Sequence, residues 1–129
     1  MTYPTRRAMS LALALSGASM LAHNLFELPL SPLDVENSGP LVVDVILAAA
    51  FALRPRSFAA IVSIAAWGLL NLVIGGIITV LPLPILPFAP EQTVSHYLAH
   101  AVYMLGQVPL VVLSTRAIRS AALTRPQHS

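Results

Sequence analysis

The chain has 129 residues, of which 57% are hydrophobic and only 9% charged, with a mean hydropathy of +0.79. Soluble domains carry about 25% charged residues, and so short a chain has no core large enough to hide this much apolar surface from water, so a bilayer is the expected solvent. The lack of Cys excludes disulfides, thiolate metal sites and thiol nucleophiles; all seven basic residues are Arg and fall between apolar runs rather than in one patch, so the pI near 9.7 points to membrane topology and away from nucleic acid.

The first apolar segment covers about residues 8–28 and follows Arg6 and Arg7. That order is also the order of a signal peptide, with Ala18 or Ala22 as cleavage points; the run continues past both, so a retained span is expected. The loop LPLSPLDVENSGP is rich in turn formers. The second segment, about 40–53, carries Asp44 and is shorter than the roughly 20 residues of a typical span. It is read as a full span because the tight turn RPRS couples it to the third segment, about 58–80. The next connection, LPLPILPFAPEQ, holds Pro82, Pro84, Pro87 and Pro90 and is expected to form an extended polyproline strap over the outer mouth. Pro90 and Glu91 suit the first turn of the fourth segment, about 94–115. Residues 118–129 are expected to be a flexible cytoplasmic tail.

Four spans put every Arg on one side and Glu27, Asp34, Glu36 and Glu91 on the other. The positive-inside rule then places both termini in the cytoplasm. The expected fold is therefore an all-α integral membrane protein, one domain over 1–129, of four antiparallel helices. The Arg-only, Ala-rich composition suggests a bacterial cytoplasmic membrane. The expected partners there are the lipid bilayer and a second copy of the chain or a larger membrane complex.

Polar residues in a span face the bundle interior, because exposing them to lipid is costly. On segment four, Gln92, His96, His100, Tyr103 and Gln107 recur at helical intervals. Segment one repeats the pattern with Ser16, Met20, His23 and Glu27, with Asn24 beside them, and segment three with Ser63, Trp67, Asn71 and Gly75. Segment two offers Asp44 and Ala48. With alternating directions, His23, Glu27, Asp44, His96 and His100 share one outer layer, and Asn71, Tyr103 and Gln107 lie deeper.

Imidazoles with a carboxylate suit a transition metal. The expected ligand set is His23, Glu27, His96 and His100, with Asn24, Asp44, Asn71, Tyr103 and Gln107 as supporting or proton-linked groups. A b-type haem held by His23 and His100 is a second reading. A proton-coupled carrier or channel subunit acting as an oligomer is a third, with Gly106 and Pro109 as a hinge. There is no G-x-S-x-G elbow, phosphate loop or H-E-x-x-H motif. A binding or accessory role is expected over an enzyme.

Overall fold

The computed structural model describes residues 3–28 and 30–123. Helix α1 spans Arg6–Glu27, α2 Val35–Leu53, α3 Phe58–Leu70 and α4 Val94–Leu123, and α3 runs on into a π-helical stretch, Asn71–Ile78. Among the described residues there is no strand. All four helices, counting Phe58–Ile78 as one, are long and apolar enough to cross a membrane. α4 is the hub, packing on α1 and α3, while α2 leans mainly on α1.

Each helix begins and ends for local reasons. Thr5 caps α1 by accepting from the Ala8 amide at 3.1 Å, and Ser57 caps α3 through Ala60 at 3.4 Å. α2 starts five residues before the expected Pro40. Asp34 opens it, its carboxylate taking the Ser31 amide at 2.6 Å and its carbonyl the Asn37 amide at 2.9 Å. Pro40 has no N–H for the Glu36 carbonyl. Asn24 of α1 donates its side-chain amide to that carbonyl instead, at 3.4 Å. Helix four starts after the expected Pro90 and Glu91, at Val94, because Thr93 Oγ1 accepts from the His96 amide at 3.2 Å. It continues to Leu123, into the segment expected as a tail; residues 124–129 lie outside the described residues.

The interior joins a seam of polar side chains to an apolar core. Ser16, Ser19, Asn37, Asp44, Asn71, His96, His100, Gln107 and Ser114 are buried, while Leu11, Val45, Leu70, Val102 and Leu105 are exposed. A soluble monomer does not leave apolar faces bare on every helix. Small residues let the helices close up, as in membrane bundles. A Cβ at Gly106 would fall on the Ser19 side chain and within 3.3 Å of the Leu15 carbonyl, and one at Gly17 would lie 2.6 Å from Asp44 Oδ2.

Two ends are distinct. At one, Arg6, Arg54 and Arg56 border a common surface cleft and the Tyr3 hydroxyl donates to the Pro55 carbonyl. Burial raises the Tyr3 phenol above its ordinary value, with Arg56 opposing. Above this end lies the apolar core of Met9, Leu13, Phe51, Ile61, Ile64 and Leu110. The other end carries Glu27, Glu91, His23, His96 and His100.

Candidate functional site

α1 and α4 meet in a register that fixes the site. Ser16 Oγ donates to Gln107 Oε1 at 2.6 Å, and Gln107 Nε2 returns to the Ser16 carbonyl at 3.2 Å and Ser19 Oγ at 3.3 Å. Two turns along α1, His96 Nδ1 and Glu27 Oε2 are 2.5 Å apart. Residue numbers climb on one helix as they fall on the other. This brings His23 against His100, with ring centroids 4.4 Å apart, and His96 against His100 at 4.5 Å.

The π-helical stretch supplies the third wall. Its hydrogen bonds span five residues, as from the Thr79 amide to the Ile74 carbonyl at 3.1 Å, a device frequent at functional sites. Gly75 and Gly76 let it lie on α4: a Cβ at Gly76 would sit 2.5 Å from Met104. The Gly76 carbonyl thereby meets His100 Nδ1 at 3.0 Å.

The result is a cavity of about 490 Å³ at the carboxylate end. Its polar lining is His23, Asn24, Glu27, Thr79, Glu91, His96, His100 and Tyr103. Residues 88–91 of the proline-rich connection border it as well. That connection is not the extended polyproline segment expected. The Leu86 amide bonds the Leu83 carbonyl at 3.1 Å, so the chain turns at Pro84, where proline favours the second turn position.

The donors around the cavity are already engaged. Tyr103 Oη donates to Asn71 Oδ1 at 2.8 Å, Thr79 Oγ1 to the Gly75 carbonyl at 2.6 Å, and Asn24 Nδ2 to Glu36. Each imidazole turns Nδ1 to an oxygen: Asn24 Oδ1 at 3.1 Å for His23, Glu27 for His96, Gly76 for His100. A carboxylate and a carbonyl only accept, so Nδ1 carries the hydrogen, and in the neutral ring Nε2 is left an acceptor. Nε2 of His23 and of His96 are buried with no partner. Among the described residues, no Lys or Arg lines the cavity.

Several expected placements change. Glu27, expected in one site with His23, His96 and His100, pairs with His96 of α4. Asp44 is not in the histidine layer: its Oδ1 accepts from Trp67 Nε1 at 2.8 Å, beneath Gly17. Asn71 bonds the Trp67 carbonyl at 2.8 Å as well as Tyr103, and Gln107 belongs to the Ser16–Ser19 knot. Ser63 is exposed, because the inner face of α3 runs through Ile61, Ile64 and Gly68. Gln92 is exposed too and lies before α4, where the Tyr97 hydroxyl donates to it. Among the described residues, no group of three or more His, Cys, Asp or Glu side chains is arranged to hold a metal ion. The expected ligands gather, but His96 and Glu27 engage each other and the rings meet edge-on at 77° and 63°. A haem iron with its two nitrogens about 2 Å away on either side does not fit between rings as close as His23 and His100. Ser19, Thr79 and Phe88 went unnoticed in the sequence; Ser19 faces α4 three residues after Ser16, a spacing that could have revealed it.

The fold and cavity describe a four-helix chain of membrane-spanning length with a polar site at one end. No family model matches the sequence, and comparisons with curated proteins and with solved structures find no match.

Proposed function

We propose that this is a multi-pass membrane protein of four antiparallel helices, with the arginine end in the cytoplasm, that binds a small hydrogen-bond-donating ligand in its outer half. The segregation of Arg from Asp and Glu supports the orientation. One observation carries the ligand class: the cavity's side-chain donors are engaged while two buried imidazole Nε2 atoms have no partner. A buried acceptor left unpaired costs about 1–3 kcal/mol, so the site favours an occupant that donates. With carboxylates and neither Lys nor Arg in the described lining, a primary ammonium is the best match.

A binding role is favoured over a proton or ion path through one chain. The cavity shares no lining residue with the cleft at the arginine end. Between them lie the Ser16–Ser19–Gln107 knot and an apolar layer with Met9, Leu13, Ile64 and Leu110 each no more than 1% exposed.

The test is calorimetric titration of the nanodisc-embedded protein with n-butylamine and with butyrate. Butylamine should bind one to one, Glu27→Gln should weaken it about tenfold, the loss of one charge-assisted hydrogen bond, and butyrate should give no heat of binding. Equal binding of both probes, or of neither, overturns the proposal.

A further inference from the structure

A second, apolar cavity of about 360 Å³ lies on the flank of the bundle between α1 and α4. Ala22 and Phe26 line it from α1, and Leu98, Ala99 and Val102 from α4. Phe26, Leu98 and Val102 are 70%, 61% and 56% exposed, so this groove opens toward the lipid. His23 lines it and also lines the polar cavity. One half-buried imidazole is therefore a wall common to an acceptor-rich chamber and an apolar groove.

Resting on the ligand class argued above, we propose that the natural ligand is an amphiphile: an alkyl chain in the α1–α4 groove and an ammonium head in the histidine cavity, entering from the membrane past His23. The two volumes have the two polarities such a molecule needs. Ligand sites commonly occupy about 300–1,000 Å³ of mostly apolar surface with a few polar groups that fix orientation; here those properties are divided between adjoining spaces. His23 is the lining residue they share, and among the described residues its side-chain hydrogen bond goes to Asn24, its neighbour. A rotation of His23 exchanges that bond without disturbing the Glu27–His96 pair. The head would replace the missing partner of His23 Nε2 and sit beside Glu27. The proline-rich cover over the cavity, with Phe88 and Pro90, leaves the flank as the natural route for a chain already dissolved in the bilayer.

The experiment is photocrosslinking in nanodiscs with dodecylamine bearing a diazirine near the chain end, and with the dodecanoate of the same design. Adducts of the amine should concentrate on Ala22, Phe26, Leu98 and Val102, and excess butylamine should displace them. His23→Phe, which keeps the wall but removes the acceptor, should cut them about tenfold, the equivalent of one hydrogen bond. Ala99→Phe, which fills the groove, should cut the adducts while leaving butylamine binding intact, a control that needs no disturbance of the cavity. Identical adduct patterns for amine and carboxylate overturn the proposal, since the groove then merely holds lipid. Adducts elsewhere with butylamine still bound overturn the amphiphile and spare the cavity; failure of butylamine itself to bind overturns both.

Discussion

Gly106→Ala is a severe substitution for its size. The new Cβ would overlap the Oγ and Cβ of Ser19, and it lies 3.3 Å from the Leu15 carbonyl, which cannot move without the helix. Carbon atoms rest about 3.5–4.0 Å apart, so α1 and α4 must part on the order of 1 Å. Overpacking of this kind costs about 1–3 kcal/mol. The separation would also stretch the Ser16–Gln107 bond at 2.6 Å and the Glu27–His96 pair at 2.5 Å, so the cavity should lose its shape along with the fold its stability. Ser19→Gly removes the obstructing atoms. Adding it to Gly106→Ala should recover most of the lost stability, with a coupling of about 1–2 kcal/mol in the range for contacting residues. The assay is reversible unfolding in mixed micelles, followed by circular dichroism for the four proteins of the cycle. Additive effects, within about 0.5 kcal/mol, would refute the close α1–α4 approach from which the site is built.

Trp67→Phe should destabilise by about 1–3 kcal/mol, because it strips the buried Asp44 carboxylate of its side-chain donor; Asp44→Asn, which retains an acceptor for Trp67, should cost less in the same unfolding assay. Neither the parent nor Asp44→Asn should conduct protons in pH-jump liposomes; a flux that Asp44→Asn abolishes would revive a carrier. The chain has no Cys, so single cysteines report topology cleanly: in intact cells an impermeant maleimide should label Ser31→Cys and spare Ser57→Cys, and the reverse would invert the orientation.

The spans can be read from the sequence because hydropathy and charge act over whole segments. Arg54 and Arg56 interrupt an apolar stretch, and no tertiary detail is needed to see it. Element ends are less legible. Pro40 looks like a helix start, yet Asp34 forms an earlier one and Asn24 satisfies the carbonyl that Pro40 orphans. At the site, the stripe of His96, His100, Tyr103 and Gln107 is visible as helical spacing, and the structure sets those residues on the buried face of α4. Spacing does not reveal partners. The i, i+4 spacing of His23 and Glu27 puts both on one face of α1 but does not say that Glu27 reaches His96 of α4, which the close approach at Gly106 and Ser19 allows. Asp44 shares a depth with the histidines in sequence terms and is drawn aside by the indole of Trp67. The π-helical stretch is marked only by Gly75-Gly76, and its effect, a carbonyl presented to His100, emerges from packing alone.

The central claim is that three imidazoles converge at the polar cavity, each with Nδ1 bound to a protein oxygen, and that Nε2 of His23 and of His96 lack a partner among the described residues. Solid-state NMR on ¹⁵N-histidine, ¹³C-glutamate protein in bilayers tests it directly. The expected spectrum shows hydrogen on Nδ1 of His23, His96 and His100, a through-space contact from His96 to the Glu27 carboxylate, and Nε2 shifts of His23 and His96 that move when butylamine is added. Hydrogen on Nε2 of His23 and His100, with no contact between His96 and Glu27, would contradict the account.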